Sequence, residues 1–334
     1  MNKLSTFNLN EADLSHVKVL VTGASGYIGR NLVDRLLELR CQVSVITRNR
    51  GSFNCAHKAL ELIEFDLSSE GQSIPELSGF DVIFNCAGEL KDPSKMKALH
   101  VDGTMRLLKS LKNHNTRWVQ LSSVGVYGQN VSGEVKEDHP FSPVGPYELT
   151  KAEADTKVRD YCIEYDIPFS ILRPSNIFSF DMTNKSLEKW VGLIRSGWFF
   201  ESDKAEAVHS NYVHVSNVVD ALVLCGFHEQ TVNQDFIVSD SLTQTEFVKI
   251  VCDTLGITPR KSTYPYLTIL KAAQWVSRLT KNSAIERKVC ALNTSVVYSN
   301  DKLLHYTGYT NRVSLEQGIR DYVMSLSEQS GKLK

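Results

Sequence analysis

Tyr147 and Lys151 stand four residues apart in PYELTKAEAD, and Pro146 just before them suits the first turn of a helix. That spacing puts both side chains on one helix face. An ordinary phenol titrates at about 10, so acid–base work near neutrality calls for an adjacent cation, and a lysine one turn along supplies it. Ser123, in LSSVGVYG at the end of an apolar run, precedes Tyr147 by 24 positions. A hydroxyl there can donate to a substrate carbonyl while Tyr147 delivers the proton. Alone, each signal is commonplace: Tyr-x-x-x-Lys occurs on solvated helix faces, and strand-end serines form turns. Their order behind a third motif gives them weight.

That third motif is VKVLVTGASGYIG, Val17 to Gly29. Val17, Val19, Leu20 and Val21 form the short apolar run of a buried parallel strand. Gly23, Gly26 and Gly29 follow in the TGxxGxxG spacing, and from Tyr27 the pattern turns helical, with Ile28, Leu32, Val33, Leu36 and Leu37 on one face. A diphosphate resting on the N-terminus of such a helix meets free N–H groups and the positive dipole end, and a Cβ at these positions would hold it off. The stretch reads as strand, dinucleotide turn and helix.

These groups need a scaffold. QVSVITRNR, LELIEFDLSS, DVIFNCAG, RWVQLSSVGVYG and PFSILRPSN are apolar or aromatic runs closed by small or polar residues, and helical stretches separate them. The alternation predicts an α/β fold, a Rossmann-type doubly wound parallel sheet that binds ligands beyond the carboxyl ends of its strands. Asp66, Asn85-Cys86-Ala87-Gly88, Ser122-Ser123 and Arg173-Pro174 all fall at such ends. Residues 1–16 are predicted to be a loose polar arm without a signal-peptide pattern, and 17–174 the dinucleotide-binding domain. Residues 175–325 are expected to form mainly a smaller C-terminal substrate lobe, with about 210–228, a strand leading into a helix, returning to the large domain. Residues 326–334 are a polar tail expected to fray.

With 334 residues, 42% of them hydrophobic, the chain can bury a large core. A formal net charge of −1 gives no electrostatic support for nucleic-acid binding. Cys41, Cys55, Cys86, Cys162, Cys225, Cys252 and Cys290 include no CxxC pair, which argues against a zinc site and a disulfide framework and for reduced thiols in a cytoplasm. No run approaches the roughly 20 apolar residues of a membrane-spanning helix. YLTILKAAQWVSRL, Tyr266 to Leu279, combines a broad apolar face with Lys271 and Arg278; a core or lobe-packing helix is the expected reading, with a peripheral membrane contact as the other.

The end of the second strand discriminates between cofactors, because an acid there accepts the ribose 2′-OH of NAD and repels a 2′-phosphate. Here the sequence offers ITRNR. Arg48, with Arg50 nearby and Arg30 just after the third glycine, predicts a cationic pocket and favours NADP(H), with NAD(H) the other possibility.

Taken together the motifs resemble the extended short-chain dehydrogenase/reductase family, which includes nucleotide-sugar epimerases, dehydratases and 4-keto reductases; the likeness runs to about Tyr322. Within it TGASGYIG, from Gly23 through Ser25, Gly26, Tyr27, Ile28 and Gly29, resembles the dinucleotide turn. Asp66-Leu67 is similar to the pair that contacts adenine, and Cys86-Ala87-Gly88 to the small-residue segment along the cofactor. Ser123, Tyr147 and Lys151 match the catalytic triad, and the resemblance implies that Tyr147 and Lys151 also touch the cofactor. Arg173-Pro174-Ser175-Asn176 resembles the strand-end motif whose Asn contacts a substrate diphosphate. YVHV with Asp220-Ala221, and Gly308-Tyr309 through Gly318, are further likenesses. The chain departs from the pattern at His100, where Asn is usual, at Phe178-Ser179-Phe180 in place of YGP, and at Ser216-Asn217, where an acidic residue is common.

The resemblance implies a homodimer and a choice of reactions. NADP(H)-using members resemble releasing reductases, so the leading expectation is reduction of a keto group, best assigned to a nucleotide-linked 4-keto-6-deoxy sugar. Asn176, together with the basic residues Arg260, Lys261 and Arg287, could hold its diphosphate. The alternatives are a nucleotide-sugar epimerase with retained NAD, a reductase of an apolar steroid- or flavonoid-like ketone, suggested by Trp190, Trp198, Phe199, Phe200 and Tyr212, and a catalytically silent dinucleotide sensor.

Overall fold

The computed structural model describes residues 13–52, 60–69, 71, 73–77, 79–111, 115–129, 131–182, 185–197, 201–203, 207–258, 263–280, 289 and 295–331. Arg260, Lys261, Arg287, Trp198, Phe199, Phe200, Cys55 and Cys290 lie outside the described residues, as does the arm before residue 13.

Strand β1 (Lys18–Thr22) alternates its side chains between two apolar clusters: Val19 and Val21 enter one, Leu20 the other. Both faces are covered, which is why the strand reads as a continuous apolar run. It is followed by α1 (Tyr27–Glu38), β2 (Gln42–Thr47), β3 (Leu60–Glu64) and β4 (Val82–Asn85). Next comes one continuous helix made of α2 (Pro93–Lys97), a π-helical segment (Ala98–Gly103) and α3 (Thr104–Lys109). Then come β5 (Arg117–Leu121), β6 (Gly133–Val135), α4 (Pro146–Glu164) and β7 (Phe169–Pro174).

The later chain contains β8 (Asn176–Phe178), α5 (Lys185–Ser196), β9 (Glu201–Ser202), β10 (His209–His214), α6 (Val215–Phe227), β11 (Gln234–Val238), β12 (Asp240–Thr243) and α7 (Gln244–Leu255). It closes with β13 (Thr263–Tyr264), α8 (Tyr266–Thr280), β14 (Val296–Tyr298), α9 (Asp301–Thr307) and α10 (Leu315–Gly331).

The central sheet is parallel throughout, in the order β11-β7-β5-β4-β1-β2-β3. Chain direction along the sheet reverses between β1 and β4, and at such a switch point the strand ends part to leave a crevice. Helices α1 and α6 cover one face through Leu32, Leu36, Val218 and Leu222. On the other face, α3 and α4 contribute Leu107 and Val158 beside Trp118.

A three-stranded sheet, β12-β10-β8, packs with α5, α7 and α10 around Phe178, Val191, Phe247, Val251 and Ile319. The segment around 210–228 is split between the two layers. Its strand β10 belongs to the small sheet, and only its helix α6 returns to the large one. Strand β11 is the one element of the large sheet with no sequence expectation. Five residues opening on Gln and Asp give little pattern, and its place comes from pairing with β7, 64 positions earlier at Gln234–Ser170.

The polar tail does not fray directly after Ser325: α10 runs on to Gly331, and the Ser325 hydroxyl donates to the Tyr322 and Phe180 carbonyls. At the other end Leu14 is buried in the core and Ser15 accepts a hydrogen bond from Gln42, so the last residues of the arm are docked. The five described cysteines are free thiols. Among the described residues no helix is long and apolar enough to cross a membrane.

Candidate functional site

The glycine turn is shaped by close approach. Gly23 has φ +66°, a left-handed conformation, and a Cβ there would lie 2.6 Å from the Cys86 carbonyl oxygen; one on Gly29 would strike the Gly23 carbonyl. Gly26 opens α1 with extended backbone and no side-chain cap, so the first-turn N–H groups keep their hydrogen-bonding capacity beside the crevice. Glycine surfaces, an uncapped helix start and a switch-point crevice together fit a dinucleotide diphosphate.

Two connected hollows share Gly23, Gly26, Cys86 and Gly88. The first, of about 210 Å³, is also lined by Ser25, Arg48, Asp66, Leu67 and Ala87 of the expected site, together with Ile46, Thr47, Phe65 and Leu99. The second, of about 400 Å³, adds Tyr27, Ile28, Gly29, Ser123, Tyr147, Lys151, Pro174 and Asn176, with Leu90, Leu121, Ser122, Ser175, Ile177 and Met182. Thr47 and Phe65 could have been found by reading every strand end as a lining position. Leu90 and Met182 come from loops without a pattern.

Not every expected residue reaches a hollow. Arg173 is fully buried below the sheet ends and lines neither. It donates to Asp155 at 3.0 Å, to Asp235 at 2.9 Å and to the Tyr127 hydroxyl at 3.0 Å. Burial works against its charge, but the two carboxylates outweigh that and raise its pKa. Arg30 turns to Asp181 at 3.2 Å, and Arg50 to the Leu62 carbonyl at 3.1 Å and to Glu64. Of the three expected cations, Arg48 alone lines the first hollow.

At the reaction end, α4 carries Tyr147 and Lys151 on one face. Lys151 is 4% exposed and donates from Nζ to the Leu121 carbonyl at 2.9 Å. Burial lowers its pKa, while Asp155 and Cys86 act to raise it. The Ser123 Oγ accepts from the Gly125 N–H at 3.1 Å, leaving its own proton to donate, and it is hydrogen-bonded with Tyr147. Lys151 was expected to lower the tyrosine pKa. Instead burial, then the charges of Asp155 and Glu148, push Tyr147 up to about 12 against the Ser123 hydrogen bond. The lysine lies 6.0 Å from the ring centroid and is turned to a backbone carbonyl. The phenol is protonated at neutral pH, as an unperturbed tyrosine also is.

Three supports lay outside the expected catalytic set. His100, in the π-helical segment, packs edge-on to Tyr147 with ring centroids 5.5 Å apart. Its Nε2 accepts the Glu89 N–H at 2.8 Å, so the remaining proton is on Nδ1 and is donated to Thr150 Oγ1, also 2.8 Å away. Burial, helped by the nearby Lys151 charge, pushes His100 down to about 3, so the ring is neutral. Asn85 donates to Thr104 and Gln120 and accepts from Thr22, tying β1, β4, β5 and α3 together under the glycine turn. Asp155, one turn beyond Lys151, accepts from Ser122 at 2.9 Å and pairs with Arg173. Asn176 donates to the Asn211 carbonyl at 3.0 Å, which fixes its amide at the join between the two layers.

The sequence model of the NAD dependent epimerase/dehydratase family matches residues 19–238. The low-salt glycan biosynthesis protein Agl12 of Haloferax volcanii is 33% identical over 176 residues, covering 48% of this chain and 56% of that protein. UDP-glucose 4-epimerase of Mycolicibacterium smegmatis is 28% identical over 230 residues, covering 63% and 73%. The matches to the first of these curated relatives span about half of their length. Among solved structures, UDP-glucuronic acid 4-epimerase from Bacillus cereus in complex with NAD superposes with a TM-score of 0.69 at 18% identity, over 93% of this chain and 99% of the other; this likeness carries the fold.

Proposed function

This chain belongs to the NAD dependent epimerase/dehydratase family, and on that premise we propose that it is an NADP(H)-dependent oxidoreductase that reduces a keto group of a nucleotide-linked 4-keto-6-deoxy sugar. The observation that carries this reading is the end of β2. Arg48 lines the first hollow at the position where an acid would accept the ribose 2′-OH of NAD, and a guanidinium there suits a 2′-phosphate. Residues 17–174 would hold the cofactor and 175–325 mainly the substrate, with α6 serving the large sheet.

When bound, the dinucleotide supplies hydride chemistry at the substrate carbon. Gly23, Gly26 and the first turn of α1 would hold its diphosphate, and Arg48, Asp66 and Leu67 its adenosine half. Tyr147, kept neutral by its surroundings, gives its proton to the substrate oxygen. Ser123 donates a hydrogen bond to the same oxygen, and both groups favour the charge that develops there. Lys151 lines the same hollow, where its ammonium would hold the nicotinamide ribose. Asn176 lines the same hollow and would meet the diphosphate of a nucleotide-linked substrate.

A second reading is a nucleotide-sugar epimerase with retained NAD, supported by the match over 230 residues to the mycobacterial UDP-glucose 4-epimerase. Fluorescence titration of the purified protein with NADPH and NADH separates the two. Micromolar NADPH binding, much weaker NADH binding and turnover of a keto-sugar nucleotide are expected; copurified, slowly exchanging NAD would put the epimerase reading first.

A further inference from the structure

Helix α8 inverts the usual distribution of a packed helix. Its inner line holds two of its smallest side chains, Ala273 at 4% exposure and Ser277 at 9%. Three of its large apolar side chains point outward, Leu267 59% exposed, Trp275 64% and Leu279 63%, while Leu270 and Val276 are half-buried. At i, i+8 and i+12 the three exposed ones lie on one face spanning about 120° at 100° per residue. Lys271 and Arg278, both exposed, fall within that face, and YLTILKAAQWVSRLT contains no Asp or Glu. None of these residues lines either hollow, so the chemistry gives no reason for the exposed ridge. Apolar area left in water forgoes about 25 cal/mol per Å², which favours a covering surface.

We propose that α8 docks this protein on an anionic lipid surface, lying flat in the interface with Leu267, Trp275 and Leu279 below the headgroups and Lys271 and Arg278 on lipid phosphates. The position of the cations selects lipid over a protein partner. Lys271 lies between Leu267 and Trp275 on the ridge, where a protein interface would bury it at its apolar centre, a place from which lysine is depleted. At a bilayer the same side chain reaches up to the phosphate level while its stem stays among the acyl chains, and an indole prefers that boundary. The helix has 15 residues, enough to lie on a membrane and too few to span one.

The test is cosedimentation of the full chain with vesicles of phosphatidylcholine alone or mixed with phosphatidylglycerol. Binding to the mixed vesicles is expected to exceed binding to neutral ones by about 30-fold and to weaken with salt, since the attraction of both cations depends on the surface charge. Trp275→Ser with Leu279→Ser is expected to lower binding about tenfold or more. Lys271→Glu with Arg278→Glu is expected to abolish the preference for anionic vesicles, with far-UV circular dichroism confirming that each variant folds. No pelleting at low salt overturns the proposal, and so does pelleting that both double variants retain. A concentration-dependent dimer lost in the Trp275 variant, without vesicle binding, overturns it in favour of a second copy of this chain as the covering surface.

Discussion

Beside the first hollow Arg48 stands exposed just beyond β2, and Asp66 accepts hydrogen bonds from its near neighbour Ser68. At the reaction end Lys151 is buried against Leu121, while Asp155 on the same helix is held by Ser122 and by Arg173, which also reaches Asp235. The two ends answer different demands. Recognition of a phosphate needs a cation near water that can be exchanged at little cost to the fold. On the proposed reading, proton delivery needs a phenol and an ammonium held in fixed relation, and here the supports of both are part of the core. On the same reading, cofactor preference is open to change by one surface substitution, whereas changes beneath Tyr147 and Lys151 reach stability as well as rate.

Tyr147→Phe gives the largest expected effect. Turnover is expected to fall about 10²–10⁴-fold while NADPH binding persists, because only the donated proton is lost; unchanged turnover would remove the acid role from Tyr147. Next is Arg173→Met, which leaves Asp155 and Asp235 buried without their shared partner. A loss of about 3–5 kcal/mol in urea unfolding is expected, against about 0.5 kcal/mol or less for Arg48→Ala. Equal losses for the two would erase the contrast between the ends.

Arg48→Asp is expected to shift the NADPH/NADH ratio of kcat/KM by about 10- to 100-fold toward NADH, since a charge-assisted hydrogen bond contributes about 1.5–3 kcal/mol. Arg30→Ala serves as its control, because Arg30 is paired with Asp181 in an exposed ion pair of about 0–1 kcal/mol. If Arg30→Ala moves the ratio as far, the phosphate pocket is wider than Arg48.

A further expected effect concerns acid. With His100 held near 3 in the folded chain and at about 6.5 when unfolded, the neutral ring contributes stability above about pH 6.5 that is lost as pH falls toward 3. His100→Asn is expected to flatten that part of the urea-midpoint profile. An acid slope identical to that of the parent chain would count against a neutral His100.

Much of this arrangement was legible before folding. Val19, Leu20 and Val21 announced a two-sided strand, the three glycines announced the turn, and Pro146 with Tyr147 and Lys151 announced a helix start with both groups on one face. Such features depend on neighbours within a few residues, where strand period, helix period and glycine geometry act directly. Arg48 belongs with them, since its place follows from the end of a readable strand.

Arg30, Arg50 and Arg173 were equally visible as cations, yet their directions were decided by Asp181, Glu64, and Asp155 with Asp235, groups between 14 and 151 positions away. The tyrosine shows the same limit in a finer form. Its spacing from Lys151 is a property of the chain, but its raised pKa depends on burial and nearby carboxylates, and the lysine is turned to a carbonyl of β5. His100 and β11 acquired their places only by packing. Local pattern specifies which groups can meet on one element, whereas charge partner, burial and sheet position are settled by chain segments that come together from far apart in the sequence.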